Sequence, residues 1–303
     1  MELKEWISQI DELQESEQLE KEIPKEELLE SLAEEIEKTI LHLAKKTKKE
    51  IGVLFSGGVD STLICYVLKK NNISFTAASI GFRDNDEQKL PDDIYSSRII
   101  SKKYDFKRVE KIYDFEEIEN LFSETVKILG NDLVNVVNVG VGSVEIAGVK
   151  LLKETNPDIE LVFGGLGSEE IYAGYQRHHN AINKHEECWN GLRNMYERDL
   201  LRDFAISKAF EIEWAVPFLE KNLIALSMNI PVELKITEQD NKIILREAAV
   251  KLGLEKEFAF RPKQAAQYGS RTDKAILKLA KRNGFEFKKD YLKYLLKTSL
   301  KTN

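Results

Sequence analysis

The chain has 303 residues, 42% of them hydrophobic, which is enough for one large domain or two modest ones with a sizeable buried core. Its 52 Asp and Glu against 45 Lys and Arg leave a formal net charge of -7, so no overall basic surface is available to neutralise phosphates, which argues against nucleic acid as a partner. The two cysteines, Cys65 and Cys188, are too few and too far apart for a disulfide framework or a zinc site; Cys65 reads as core. A charged amino terminus and the lack of any bilayer-length apolar run give no membrane partner and a cytoplasmic reading.

In chain order, residues 1–24 form a charged extension with a few apolar positions (Trp6, Ile7, Ile10, Leu13), expected as a surface helix or a mobile arm ended by Pro24. From Glu26 to Lys45, Leu28, Leu29, Leu32, Ile36, Ile40 and Leu43 recur at helical spacing and predict a long amphipathic helix. A strand at 51–55, a helix opened by Asp60, a strand at 74–82, a loop to Pro91 and a helix over 93–103 follow. Next come a strand near 107–113, helices over 115–129 and 144–153, and a strand at 159–163. This alternation predicts an α/β fold with a doubly wound parallel sheet, whose ligands sit beyond the carboxyl ends of the strands. Past residue 170 strand signals fade, and helices over 180–203, 219–229, 241–252 and 273–283 predict a helical carboxyl-terminal half.

Residues 51–62, IGVLFSGGVDST, carry the strongest chemical signal. Gly57 and Gly58 let the backbone bend and approach a ligand, and the unpaired amides at the helix start form an anion site. Ser56, Ser61 and Thr62 add hydroxyl donors, which suits a phosphate chain. No Gly-Lys-Ser/Thr follows, so this is not a Walker loop. A second turn, LVFGGLGSEEIYAGYQRH at 161–178, repeats the layout with glycines 164, 165 and 167 ahead of Glu169 and Glu170. Two such turns would face one another across a cleft, where Asp60 and Glu169 would hold magnesium through oxygen ligands. The alternative is that Ser168, Glu169 and Glu170 cap a helix and complement its dipole. His178 and His179 are adjacent, point about 100° apart on a helix and do not converge on a metal, so they are expected at the surface or the cleft rim. Tyr172, Tyr175, Trp189, Tyr196 and Trp214 are expected in the core rather than stacked on a nucleotide.

The spelling SGGVDS (56–61) resembles the pyrophosphate-binding loop of the ATP pyrophosphatases. With GGLGSEEIYAGY (164–175), AVPFLE (215–220), KIILRE (242–247) and RPKQ (261–264), in that order, residues 25 to about 275 resemble the synthetase domain of asparagine synthetase. The wording LREAAVKLGL and KQAAQYGSR is closer still to the asparagine-synthetase-domain-containing proteins. The resemblance makes 25–303 an ATP pyrophosphatase domain. It implies that Ser56, Gly57, Gly58, Asp60 and Ser61 hold the ATP phosphates, and that Ile80, Gly81 and Gly165 flank the adenine and ribose. It further implies Asp60 and Glu169 as magnesium ligands, and Lys242, Arg246 and Lys263 as the cations facing the phosphates and the developing charge. Asp93 matches an acidic position that opens the next helix of the family, or is simply a helix cap.

Three departures stand out. Leu166 replaces the glutamate of the family's SGEGSDE, and leucine can neither take a proton nor steer a nucleophile. Ala215 replaces the arginine of RVPFLD. No segment matches a glutaminase domain with a nucleophilic Cys, so ammonia is expected from solution or from a separate glutaminase subunit. The implied activity is ATP-dependent amide formation on a small-molecule carboxylate, with aspartate as the first substrate guess. The alternatives are adenylation of another acceptor such as a nucleobase, and a non-catalytic ATP-binding protein.

Overall fold

The structure is a computed structural model and describes residues 2–18, 23–84, 87–262 and 264–300. Two helices precede the sheet. In α1 (Leu3–Glu15), Trp6, Ile10 and Leu13 are buried in the main core cluster, and the Trp6 indole donates to the Leu192 carbonyl at 2.8 Å. The stripe expected on α2 (Lys25–Ala44) forms, with Leu32, Ile36 and Ile40 fully buried and Glu26 and Glu27 in the first turn, where they complement the helix dipole.

The sheet is built from β1 (Ile51–Leu54), α3 (Val59–Lys70), β2 (Phe75–Phe82), α4 (Asp92–Lys103), β3 (Arg108–Tyr113), α5 (Phe115–Leu133), α6 (Val136–Thr155) and β4 (Leu161–Phe163). Short helices α7 (Ser168–Ile171) and α8 (Gln176–Asn180) lead to α9 (Lys184–Met195), a π-helical turn at Tyr196–Leu200 and α10 (Leu201–Phe210). Then come β5 (Glu213–Ala215), α11 (Lys221–Asn229), α12 (Ile243–Leu252), α13 (Lys256–Ala259), α14 (Ala266–Gly269), α15 (Thr272–Arg282) and α16 (Lys288–Ser299). All neighbouring strands run parallel in the order β3-β2-β1-β4-β5. The order reverses between β1 and β4, so the crevice at their carboxyl ends is the place for a ligand. Both glycine turns open into it.

Four expectations need correction. Helix α6 begins at Val136 rather than 144; Asn135 caps it by accepting from the Asn138 amide at 2.9 Å, and the glycines at 140, 142 and 148 had masked its periodicity. The helix expected over 180–203 is interrupted at 181–183 and again by the π turn. A fifth strand, β5, pairs with β4 through Val162 and Trp214; three residues with charged Glu213 among them give no strand periodicity. Helix α16 was not expected; it packs Tyr291, Leu292, Leu295 and Leu296 against α5. No helix among the described residues is long and apolar enough to cross a membrane.

Candidate active site

The strand β1 delivers Ser56 to the crevice, and the chain then turns at Gly57, whose φ of +72° is a left-handed conformation that glycine adopts without strain. Gly58 is the extended residue before α3, so the amides of the first turn of α3 have no partner within the helix. Ser61 Oγ lies 3.4 Å from Ser56 Oγ, and the Gly58 amide donates to Ser56 Oγ at 3.3 Å. The loop is gripped from behind: Arg261 Nε donates to the Gly57 carbonyl at 2.9 Å.

The second turn follows β4. A β-carbon at Gly165 would lie 2.9 Å from Asp60 Cβ, so only glycine lets the two turns meet this closely. Ser56, Asp60, Ser61, Ile80, Asp93, Gly165 and Glu169 line one cleft of about 230 Å³. Gly57 and Gly58 shape the turn behind it, while Gly81 faces Pro91 and Ile94 of the next segment instead.

Lys242 joins the two turns. From the residue preceding α12, its buried ammonium donates to Asp60 Oδ1 at 2.9 Å and Oδ2 at 3.0 Å, to Ser168 Oγ at 3.0 Å, and pairs with Glu169 Oε1 at 2.8 Å. Burial acts to lower its pKa, but the Asp60 and Glu169 carboxylates outweigh burial and hold it above the ordinary lysine value. Asp60 and Glu169 are thus brought together on one cation, as the sequence had implied for a metal. Two oxygen-donor carboxylates side by side are of the type magnesium prefers; here both are paired with the Lys242 ammonium, and among the described residues no group of three or more His, Cys, Asp or Glu gathers to hold a metal.

Arg246 has other partners. Its guanidinium donates to the carbonyls of Asn241 at 2.9 Å and Ala259 at 2.7 Å, tying the start of α12 to the segment that leads into RPKQ. Lys263 lies outside the described residues. Two aromatic expectations are corrected: Tyr172, Trp189 and Tyr196 are core, but Tyr175 and Trp214 line the cleft. His178 is corrected too. It is fully buried, accepting the Tyr175 amide at its Nδ1 at 3.0 Å, and burial, reinforced by Arg177, pushes its pKa down to about 4.

Sequence reasoning missed the cleft's far wall. There the buried Arg202 is shared among Glu145 (3.0 Å), Asp199 (3.2 Å) and Asp203 (2.7 Å), and burial raises the Glu145 and Asp203 pKa values above the usual carboxylate range. Glu170, fully buried behind the second turn, pairs with Arg198 and with Arg177, and burial pushes its pKa up to about 7. The run RDLLRD at 198–203 gave no usable signal, because charges at helical spacing normally mark a solvated face.

A glycine loop of this spelling at the end of the first strand, faced by a second glycine turn across the switch point of a parallel sheet, defines the class: a PP-loop protein of the ATP-pyrophosphatase type. The sequence model of the asparagine synthase family matches residues 32–189 and 182–286, and the chain belongs to that family. It is 28% identical over 302 residues to a Methanocaldococcus jannaschii relative assigned as asparagine synthetase (glutamine-hydrolyzing) 1, covering 87% of this chain and 53% of that one. It is 26% identical over 268 residues to human asparagine synthetase (glutamine-hydrolyzing), covering 85% of this chain and 45% of that one. The chain therefore spans about half the length of the curated relatives it matches. Among solved structures it is similar to the NH3-dependent NAD synthetase of Campylobacter jejuni, with a TM-score of 0.39 and 14% identity over 93% of this chain and 95% of that one.

Proposed function

We propose that the protein is an ATP-dependent, AMP-forming ligase that makes an amide or related carbon–nitrogen bond. A carboxylate oxygen of the substrate attacks the α-phosphorus of ATP. The new P–O bond forms as the bond to the β-phosphate oxygen breaks, and pyrophosphate departs with that electron pair. An amine then attacks the acyl carbon, AMP leaves, and the amine proton passes to solvent. The family resemblance makes aspartate the reference acid for comparison and ammonia the simplest amine; a separate glutaminase subunit is the other source of ammonia.

The observation that carries this reading is the Lys242 ammonium held between Asp60 of the first turn and Glu169 of the second. A buried cation between the two turns supports a reading in which the phosphate chain of a nucleotide lies on the SGGVDS loop beside it. Ser56, Ser61 and the first-turn amides of α3 bind the phosphates, Ile80 and Gly165 flank the nucleoside, and Lys242 offsets charge as pyrophosphate forms. Arg246 ties the start of α12 to the Ala259 carbonyl, and in this reading Lys263, as the resemblance implies, is a further cation for the developing charge. Asp60 and Glu169 would hold magnesium, which when bound neutralises phosphate charge. The test is ATP–pyrophosphate exchange across a panel of carboxylic acids. Acid-dependent exchange that is lost in Ser61→Ala supports adenylation, whereas ATP binding without exchange for any acid would favour a non-catalytic nucleotide-binding role.

A further inference from the structure

A second cavity, of about 510 Å³, abuts the ATP cleft and shares four of its lining residues: Leu166, Asp203, Trp214 and Val216. Its volume falls within the range of small-molecule sites. Beyond the shared wall it is lined by the apolar Trp6, Leu200, Phe204, Ile212 and Leu219 and, among polar residues, by Gln9, Ser207, Glu213, Glu220 and Lys221. The polar atoms of this wall are withdrawn from the cavity. Trp214 Nε1 donates to the Asp203 carbonyl at 2.9 Å, Trp6 Nε1 to the Leu192 carbonyl at 2.8 Å, and the Asp203 carboxylate is paired with Arg202 at 2.7 Å. Of the other polar residues at this cavity, Ser207 donates to the Ile212 carbonyl, Glu213 pairs with Lys46 and Lys221 with Glu12, so the larger part of the surface a ligand would meet is apolar.

We infer that this cavity receives the apolar tail of the substrate, and that the acid activated is a monocarboxylic acid with an extended hydrocarbon chain. The inference rests on the adenylation reading above. Leu166 stands at the junction of the two cavities, on the turn that also carries Glu169, so an acid whose carboxylate lies beside the phosphate loop would pass its next carbons over Leu166 and Val216. A dicarboxylate such as aspartate would instead bring its second charge against leucine. On the same cleft wall, Glu145, Asp199 and Asp203 gather on Arg202, and Asp199 pairs with Arg198 as well. Taking a second carboxylate out of water there is costly, and an apolar residue offers it no hydrogen bond. A hydrocarbon chain meets neither cost and gains from leaving water.

The experiment has two readouts on the full chain. In ATP–pyrophosphate exchange, kcat/KM is measured for unbranched acids from butanoate to octanoate and for aspartate. Each added methylene buried should raise it about threefold to fourfold, or on the order of a hundredfold across the series. Ile212→Trp, which fills the second cavity, should flatten that dependence. The second readout is intrinsic fluorescence, since two of the three tryptophans, Trp6 and Trp214, line the cavity. Octanoate should change the emission saturably, and Trp214→Phe should diminish that change.

Exchange that is independent of chain length, or fastest with aspartate, would overturn the inference while leaving adenylation standing. Saturable octanoate binding with no exchange for any acid would overturn adenylation and retain the cavity as an apolar-ligand site. A response to octylamine but not to octanoate would overturn the assignment of the acid, because the tail would then belong to the amine. Failure of both readouts would overturn both proposals. Leu166→Glu gives an independent check: it should lower octanoate exchange about tenfold, by placing a charge in the path of the chain.

Discussion

Gly165 and Asp60 meet at a contact that admits no β-carbon: one built on Gly165 would lie 2.9 Å from Asp60 Cβ and 3.9 Å from the Ser61 amide nitrogen. The two turns are therefore set at a fixed spacing by a missing side chain. Gly165→Ala should push them apart and weaken ATP binding about tenfold, while the melting temperature changes little because the contact lies at the cleft rather than in the core. Isothermal titration of ATP beside a thermal melt checks this, and unchanged affinity would show that the turns yield freely.

Lys242 neutralises two carboxylates across the same contact. Replacing it with methionine removes the ammonium that joins Asp60 and Glu169, and should destabilise the fold by about 3–5 kcal/mol and abolish exchange. Millimolar magnesium should restore stability in Lys242→Met more than in the unmodified protein. Urea unfolding with and without magnesium decides the point, since an equal effect on both proteins would place any metal elsewhere.

Glu170 makes stability depend on pH in a direction that can be worked out. Burial raises its folded pKa to about 7 from the ordinary carboxylate value of 4.5, so between these values the folded protein holds a proton that the unfolded chain has released. Stability is therefore fully present below the unfolded pKa and falls as pH rises through 7. His178 acts oppositely at lower pH: with its pKa pushed from 6.5 to about 4, stability rises between those values. Glu170→Gln mimics the protonated acid and should be less sensitive than the unmodified protein between pH 6 and 8, with a difference on the order of 2 kcal/mol at most. Parallel urea curves across that range provide the comparison, and identical slopes would mean that Arg198 and Arg177 keep Glu170 ionised throughout.

Helix α1 is held by a buried indole. Trp6 is 2% exposed and donates to the Leu192 carbonyl of α9, so Trp6→Ala should cost about 3–5 kcal/mol. Trp6→Phe, which keeps most of the ring but removes the indole hydrogen bond to that carbonyl, should cost about 0.5–1.5 kcal/mol. A chemical denaturation series measures both; a loss below about 1 kcal/mol in Trp6→Ala would make residues 3–15 an appendage.

The sequence by itself determined the phosphate loop, the second turn, the parallel α/β sheet and the family, because each depends on residues close along the chain. A strand, two glycines and a helix start are a local conformation, readable over a dozen positions, and the family resemblance is a string of such local spellings. The tertiary structure alone decided which distant groups meet. Lys242 reaches Asp60 across 182 positions and Arg261 holds the Gly57 carbonyl across 204, and neither lysine nor arginine carries in its local spacing any sign of being buried. Trp214 and Tyr175 were expected in the core because aromatic residues bury well anywhere, and only the packing of β5 and α8 set them at the cleft. The same holds for Glu145, Asp199 and Asp203: as a string they are charges on helices, and their shared guanidinium exists only because α6 and α10 pack face to face. Local conformation is fixed by neighbouring residues and leaves a pattern in the chain, whereas desolvation and charge pairing are set by whatever surface arrives from elsewhere.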